Sequence, residues 1–280
     1  AASGLVCVGK RLYVVADDEL HMAVFDSSAM HAPGALVRLL EGDLPHDKEE
    51  RKKAKPDLET LALLPPLPGH PHGALLALGS GSKPQRETGV LLALDAQGAP
   101  TGQLGTIDLA PLYAPLHQRF ADLNIEGALK LGNDLLLLQR GNKANALSAC
   151  IRYTWSHMAP WLAGLQRQPP SPREVHPMDL GEVNGVPLSL TDGTPLEGGA
   201  WAFCAVAEST DDSYHDGACV GSAIGIVTPE GQVKLQLLAG APKVEGITAQ
   251  AADGGWKITL VTDPDEPNTP AQMLQTQLAA

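Results

Sequence analysis

The sequence predicts an all-β fold, a single β-propeller of about five four-stranded blades, with six blades as the alternative. One observation is composition, because 29 Gly and 23 Pro are spread along 280 residues of which only 19% are charged. Such a composition is typical of many short segments joined by turns rather than of a helical bundle. The second observation is a weak internal repeat, which is the sequence signature of repeat architectures.

The repeat is clearest between two segments. Residues 186–208 read VPLSLTDGTPLEGGAWAFCAVAE, and residues 242–263 read PKVEGITAQAADGGWKITLVTD. In both, an apolar run leads to an acidic-Gly-Gly turn, and a second run then opens with Trp201 or Trp256. Each second run ends on a carboxylate seven residues later, Glu208 or Asp263. These shared features indicate two copies of one β-hairpin.

Looser copies of the same hairpin occur earlier in the chain. They are LETLALLP with GALLALGS within 58–80, and IEGALKLG with NDLLLLQR within 125–140. A third apolar run follows at 88–95, 146–153 and 221–227, and a more polar fourth run at 102–109 and 231–238. Four antiparallel strands repeated around an axis are the plan of a propeller blade. The repeat is longer than the roughly 40 to 50 residues of compact propeller families, which leaves a six-bladed count open.

We expect one propeller domain over residues 1–280 with two insertions. The charged stretch 41–56 is predicted to be a solvated loop or a short helix, and the Trp- and Pro-rich stretch 154–172 a longer loop over part of one face. Blade one is predicted from LVCVG, RLYVVADD, LHMAVFD and ALVRLL. Blade five is predicted from KVEGIT, WKITLVTD and PAQMLQTQL, with its outermost strand missing or supplied by residues near the N-terminus.

The charge of the chain limits its partners. The net charge of −12 repels nucleic acid and anionic membrane surfaces, and no apolar run is long enough to cross a bilayer. We expect a soluble monomer that binds a small, anionic molecule, and neither nucleic acid nor membrane. The compartment, cytoplasmic or periplasmic, stays open.

The four cysteines lie in or beside apolar runs and show neither a CxxC motif nor metal-ligand spacing. We interpret them as buried thiols that pack as small apolar residues. Cys204 and Cys219 flank one predicted hairpin, and they are the one pair close enough in sequence to suggest a disulfide.

Repeat alignment predicts which polar side chains share one face of the propeller. The inner strand of each blade begins on the face where the second strand turns into the third. The starts of the inner strands carry Glu59, Glu126, Ser189 and Glu245. The ends of the second strands carry Asp17, Ser80, Arg140, Glu208 and Asp263. The hairpin tips add Asp18, Glu19, Ser82, Lys83, Arg86, Asn142, Lys143, Asp211, Asp212, Asp216 and Asp265.

Hard oxygen ligands that converge from several loops suit Ca²⁺, which takes six to eight oxygens. A basic sector formed by Lys83, Arg86, Arg140 and Lys143 suits an anion bound beside the metal. The alternative is that the carboxylates pair with these basic residues or with backbone N–H groups. Recurrence of Glu at the start of the inner strands favours a binding site, because unpaired inward charge is costly.

These residues suggest three hypotheses. The first is a metal-dependent hydrolase of a small phosphoester or lactone, with Arg140 orienting the anion and Glu59 as general base. The expected metal ligands are Glu126, Glu208, Glu245 and Asp263, and the expected ligand-binding residues are Asp17, Ser80, Lys83, Arg86, Asn142 and Lys143. The second is a non-catalytic binding module that uses the same face, and the third is a structural scaffold. The chain lacks the G-x-S-x-G elbow of α/β-hydrolases and the spacing of a phosphate-binding loop.

Three segments resemble an uncharacterised bacterial β-propeller family that is distantly similar to phytase-like and esterase-like propellers. They are NIEGALKLGNDLLLLQRGN, AVAESTDDSYHDGACVGSAIG and KVEGITAQAADGGWKITLVTDPDEP. In phytase-like propellers, carboxylates of the central face hold Ca²⁺ and a phosphate ester. The resemblance implies that role for Glu59, Glu126, Glu208, Glu245 and Asp263, with Ser189 standing in blade four where another Glu is expected.

Overall fold

The computed structural model describes residues 2–29, 31–144, 147–211, 217–266 and 268–279. Five antiparallel sheets follow one another in chain order, and the inner strand of each lies beside the inner strands of its two neighbours in a closed ring. The predicted β-propeller is therefore confirmed, and it has five blades rather than six. Among the helices of the described residues, none is long and apolar enough to cross a membrane.

The first two blades are four-stranded sheets whose strands pair in chain order. Blade one contains β1 (Gly4–Val8), β2 (Arg11–Val15), β3 (His21–Asp26) and β4 (Ala35–Arg38). Blade two contains β5 (Leu58–Leu64), β6 (Ala74–Gly79), β7 (Thr88–Leu94) and β8 (Pro100–Asp108). A short helix, α1 (Lys48–Ala54), precedes β5, and a second, α2 (Ala110–His117), follows β8.

The next two blades have the same plan. Blade three contains β9 (Ile125–Leu131), β10 (Asp134–Gln139), β11 (Ser148–Thr154) and β12 (Glu174–Met178), with helix α3 (Trp155–Leu162) between the last two strands. A two-stranded hairpin of β13 (Glu182–Val183) and β14 (Val186–Pro187) connects it to blade four. Blade four contains β15 (Ser189–Pro195), β16 (Trp201–Glu208), β17 (Cys219–Val227) and β18 (Val233–Leu237).

Blade five contains three strands, β19 (Val244–Ala252), β20 (Gly255–Thr262) and β21 (Met273–Ala279). Of the two alternatives for its outermost strand, the structure supports a missing strand, because the N-terminal residues form β1, the inner strand of blade one. The ring closes where β1 lies against β19.

The second strands of the blades are buried on both faces because each blade is stacked between two others. All residues of β6 (ALLALG) and β10 (DLLLLQ) are buried, which explains their continuous apolar runs. The inner strands approach closely around the axis. A Cβ added at Gly127 would lie 3.0 Å from the Cα of Asp192, so this position requires glycine.

Both insertions contain helices. Residues 41–56 include α1, which is one of the two predicted forms, and Asp47 caps it by accepting the backbone N–H of Glu50 at 3.0 Å. The prediction of a loop at 154–172 was wrong for its first part, which is α3. Its residues Met158, Trp161 and Leu162 have the spacing of one helix face and are buried between blades two and three.

All four cysteines are free thiols. Cys204 pairs across the β16–β17 ladder with Ile224, whereas Cys219 pairs with Glu208, four residues further along β16. At about 3.3 Å per residue, this offset exceeds the Cα separation of roughly 7 Å that a disulfide spans. The suggested Cys204–Cys219 disulfide is therefore absent.

Candidate functional site

A β-bulge aims each of the three recurring glutamates at the centre of the propeller. The register of β5 with β6 skips Glu59, that of β9 with β10 skips Glu126, and that of β19 with β20 skips Glu245. A bulged residue leaves the ladder and its side chain turns out of the sheet. In blade four the register shift falls at Thr191 instead, and Ser189 is a buried, paired residue of β15 that does not line the pocket.

The three glutamates line a polar pocket of about 80 Å³ at the end of the central channel. This volume is enough for a few water molecules or a small hydrated ion. Ten of the sequence-predicted face residues line it: Asp17, Glu59, Arg86, Glu126, Arg140, Asn142, Glu208, Glu245, Asp263 and Asp265. Residues from all five blades or their connections therefore meet at one site.

Other predicted face residues lie elsewhere. Ser80 is buried behind the pocket, where its hydroxyl contacts Asp57, and Ser82 hydrogen-bonds Arg86 at 2.9 Å. Lys83 and Lys143 do not line the pocket. Asp18 and Glu19 pair with Arg51 of α1 beside it. Asp211 is exposed, and Asp212 and Asp216 lie outside the described residues.

Arg140 is the centre of the first of two charge clusters. Its Nη1 donates to both oxygens of Glu126, at 3.0 and 2.9 Å, and its Nη2 donates to Glu208. Glu245 lies 3.6 Å from the same guanidinium, and the Lys243 ammonium is 3.6 Å from Glu245 and 3.7 Å from Glu208. Three of the predicted metal ligands, Glu126, Glu208 and Glu245, thus surround the guanidinium of Arg140.

Lys55 and Arg86 form the second cluster with two aspartates. The Lys55 ammonium contacts Asp17 and lies 2.7 Å from Asp57. The Arg86 guanidinium, 3% exposed, lies 2.9 Å from the other oxygen of Asp57. Asp57 itself has a φ of 57°, a left-handed conformation that aspartate tolerates better than most residues. Glu59 is adjacent, and its carboxylate makes no hydrogen bond or ion pair with the residues that the structure describes.

Acidic groups outnumber basic groups in the pocket. Eight carboxylates line it against five basic side chains, Lys52, Lys55, Arg86, Arg140 and Lys243. Burial raises the pKa of Glu126 to about 8, with Arg140 opposing and Glu245 reinforcing the shift. Burial and the neighbouring Asp265 raise the pKa of Asp263 to about 6. Burial, Asp57 and Asp17 raise the pKa of Glu59 well above its usual range. Carboxyl groups therefore outnumber basic groups in the pocket, and the raised pKa values of Glu126 and Glu59 mean that these two carboxyls hold a proton near neutral pH.

One set of three carboxylates has the spacing that a metal ion requires. Among the described residues, Asp17, Asp57 and Glu59 have ligand oxygens that all lie within 4.8 Å of one another. The donor chemistry suits a hard cation such as Ca²⁺ or Mg²⁺. The Lys55 ammonium lies between Asp17 and Asp57, so an incoming cation must displace it.

The sequence analysis missed several lining residues, and a short-range pattern could have found three of them. Asp57, Asn124 and Lys243 each stand two residues before a bulged glutamate, and all three line the pocket. Asn124 donates to Glu126 at 2.6 Å. The same polar-apolar-Glu triplet thus precedes the bulge in three blades, and both of its polar residues line the pocket. Lys55 comes from the insertion and has no counterpart in the repeat.

The fold and this pocket define a β-propeller with a polar, predominantly acidic central site. The chain belongs to DUF6929, a family of unknown function whose model matches residues 1–278. Among curated proteins, none matches the chain.

Solved structures show distant similarity. The chain matches a luciferin-regenerating enzyme at 12% identity and a TM-score of 0.48, over 98% of this chain and 90% of that one. It matches an endo-arabinanase from Bacillus licheniformis at 9% identity and a TM-score of 0.38, over 98% and 92%. It also matches a quinohemoprotein alcohol dehydrogenase from Comamonas testosteroni at 12% identity and a TM-score of 0.37, over 92% of this chain and 39% of that one.

Proposed function

We propose that the central pocket binds a divalent cation, with Ca²⁺ as the best-suited ion, and that the cation binds a small oxygen-donor ligand. The observation that carries this proposal is the cluster of Asp17, Asp57 and Glu59, whose oxygens lie within 4.8 Å of one another. They belong to a pocket with an excess of carboxylates over basic groups. Ca²⁺ accepts irregular sets of carboxylate oxygens more readily than Mg²⁺, which requires near-octahedral geometry.

The proposed ligand set differs from the one expected from the repeat. Glu126, Glu208 and Glu245 are already paired with Arg140 and Lys243, so we do not assign them direct coordination of the cation. Asp263, another predicted metal ligand, lines the same pocket and is close enough to Asp17 for their charges to interact. Asn142 and Arg86 bound the pocket and limit the size of the bound ligand.

The experiment is thermal unfolding of chelator-treated protein titrated with Ca²⁺, Mg²⁺ and Mn²⁺. A ligand that binds the folded state alone raises stability by about 2.7 kcal/mol at a hundred times its Kd. We expect a saturable Ca²⁺ shift that Glu59→Gln weakens at least tenfold in apparent affinity. Glu182→Gln, an exposed carboxylate on the β13–β14 hairpin, is the matched control and should leave the shift unchanged. A wild-type protein without any cation-dependent shift contradicts the proposal.

Hydrolysis of a small phosphoester or lactone is the second candidate. Its support is Glu126, a buried pocket carboxyl with its pKa raised to about 8, which can transfer a proton near neutral pH. The test is turnover of p-nitrophenyl phosphate and of δ-valerolactone by the Ca²⁺-loaded protein. We expect Glu126→Gln to lose turnover and to keep the Ca²⁺ shift. If no substrate is turned over while Ca²⁺ binds, the chain is a non-catalytic binding module.

A further inference from the structure

Blades five and one pack less completely than the other blade pairs. Their shared apolar cluster has five buried members, the smallest of the propeller: Ala2, Leu5, Leu12, Val14 and Val261. Above this cluster a groove of about 990 Å³ separates the two blades. Its apolar walls are formed by Val14, Ala23, Phe25 and Leu36 of blade one and by Val261 and Met273 of blade five.

The walls of this groove expose apolar side chains to solvent. Val14 and Val261 form a buried floor, Phe25 and Met273 are half-buried, and Leu36 is 70% exposed. A contiguous, concave apolar surface of this kind is characteristic of ligand-binding grooves. Its volume falls at the upper end of the range for small-molecule sites, roughly 300 to 1,000 Å³. The groove is therefore large enough for a small molecule.

The groove adjoins the central pocket. Asp17, Lys52, Lys55, Asp263 and Asp265 line both. Asp17 is also one of the three carboxylates that are close enough to share a cation. A groove with apolar walls, which also carries charged residues such as Lys48 and Arg51 of α1, thus adjoins a charged site. This arrangement matches an elongated molecule with an aliphatic chain and a polar head.

We propose that the groove between blades five and one binds the aliphatic chain of a medium-length carboxylate, whose head group lies at the Asp17 end beside the cation of the central pocket. The head-group assignment rests on the proposed function. Without the cation, the described residues that line the pocket offer an anionic head no unpaired positive charge at Asp17, because Lys55 is paired with Asp17 and Asp57. With the cation bound, the Lys55 ammonium is displaced from Asp17 and Asp57. The cation and the ammonium, both positively charged, then face the carboxylate head group.

The test is calorimetric titration of the Ca²⁺-loaded protein with hexanoate, octanoate and decanoate. Burial of each methylene strengthens binding about fourfold, so each step of two carbons should lower Kd roughly fifteenfold. Leu36→Asp places a charge on the groove wall at an exposed position that tolerates it, and it should remove the chain-length dependence. Leu237→Asp, at a leucine 59% exposed on β18 of blade four, is the matched control and should bind as the wild type does.

The outcomes distinguish a failure of the groove proposal from a failure of the cation-site proposal. Equal affinity for all three chain lengths, or an unchanged series in Leu36→Asp, overturns the groove even when Ca²⁺ binds. A chain-length series that persists without Ca²⁺ supports the groove and overturns the cation as the head-group partner. Tighter binding of octylammonium than of octanoate overturns the carboxylate assignment.

Discussion

The carboxylate of Asp192 in blade four accepts the backbone N–H of Ile247 in blade five, with 3.0 Å between Oδ2 and N. Its other oxygen accepts the N–H of Gly193 at 2.7 Å, and the side-chain carboxyl of Asp192 also accepts the backbone N–H of Leu5 in blade one. Asp192 is 1% exposed, so these bonds are buried near the propeller axis. One side chain thereby joins the inner strands of blades four, five and one, where the ring closes.

Replacement of Asp192 by Asn should destabilise the ring. The amide keeps the size of the carboxylate but offers one acceptor oxygen, so at least one buried N–H loses its partner at a cost of about 1–3 kcal/mol. Urea unfolding measures this loss. Asp253→Asn makes the same chemical change in an exposed turn of blade five and should remain within about 0.5 kcal/mol of wild type. Equal stabilities of the two variants would show that the Asp192 bonds contribute nothing.

Replacement of Lys55 by Met should lower the stability of the cation-free protein and increase the stabilisation that a bound cation provides. The substitution leaves Asp17 and Asp57, which Lys55 contacts, without that positive charge, and uncompensated buried charge costs about 3–5 kcal/mol. It also removes the ammonium that competes with an incoming ion, so the Ca²⁺-dependent rise in Tm should exceed that of wild type.

Lys53→Met is the matched control because Lys53 is an exposed residue of α1, the helix whose C-cap is Lys55. It should change neither the cation-free Tm nor the Ca²⁺ response. If Lys55→Met is destabilised and Ca²⁺ restores nothing, the pocket is an internal ion-pair network without a cation site.

Replacement of Arg140 by Met should be more damaging at high pH than at low pH. The guanidinium neutralises Glu126 and Glu208, and Glu245 lies within 3.6 Å of it. Without it, these buried carboxyls must ionise unpaired or stay protonated, and protonation is easier in acid. We expect a loss of about 3–5 kcal/mol at pH 8 and a smaller loss at pH 5, measured by urea unfolding. Arg152→Met removes a more exposed pair with Asp134 and Glu174, and its loss should be about 1 kcal/mol or less at both pH values.

The recurring pairs of apolar runs predicted the blades because every blade contains the same hairpin. For the same reason, they predicted that Glu59, Glu126 and Glu245 share one face. The repeat carried no information about non-repeating parts. Lys55 reaches the pocket from an insertion, and α3 is an apolar helix inside a stretch rich in Pro. Pairing inside the pocket depends on side-chain directions that bulges set. The sequence therefore placed Arg140 on the face and left its pairing with carboxylates as an alternative, but it did not identify the three partners.

The thiols offer a simple test of the strand register. Cys150 and Cys204 are buried, and burial raises the pKa of Cys150 to about 12. Cys7 and Cys219 are half-buried, and their pKa is also raised, chiefly by burial. We expect slow reaction of Cys7 and Cys219 with a thiol reagent in the native protein and four reactive thiols after unfolding without reductant. Two reactive thiols after unfolding would indicate a disulfide and a different register of β16 with β17.

Glu126 should make wild-type stability fall with rising pH. Its pKa is raised on folding, from near 4.5 to about 8, so the folded state keeps a proton that the unfolded state has released. Stability from this group is therefore complete below about pH 4.5 and declines as the pH rises through about 8. Glu126→Gln mimics the protonated form and lacks this dependence. The unfolding free energy of wild type relative to Glu126→Gln should fall by up to about 1.4 kcal/mol per pH unit between pH 5 and 8 and then level off. Glu174→Gln, at a side chain 52% exposed, should show a constant difference, and a constant difference for Glu126→Gln as well would mean that Arg140 keeps Glu126 ionised throughout.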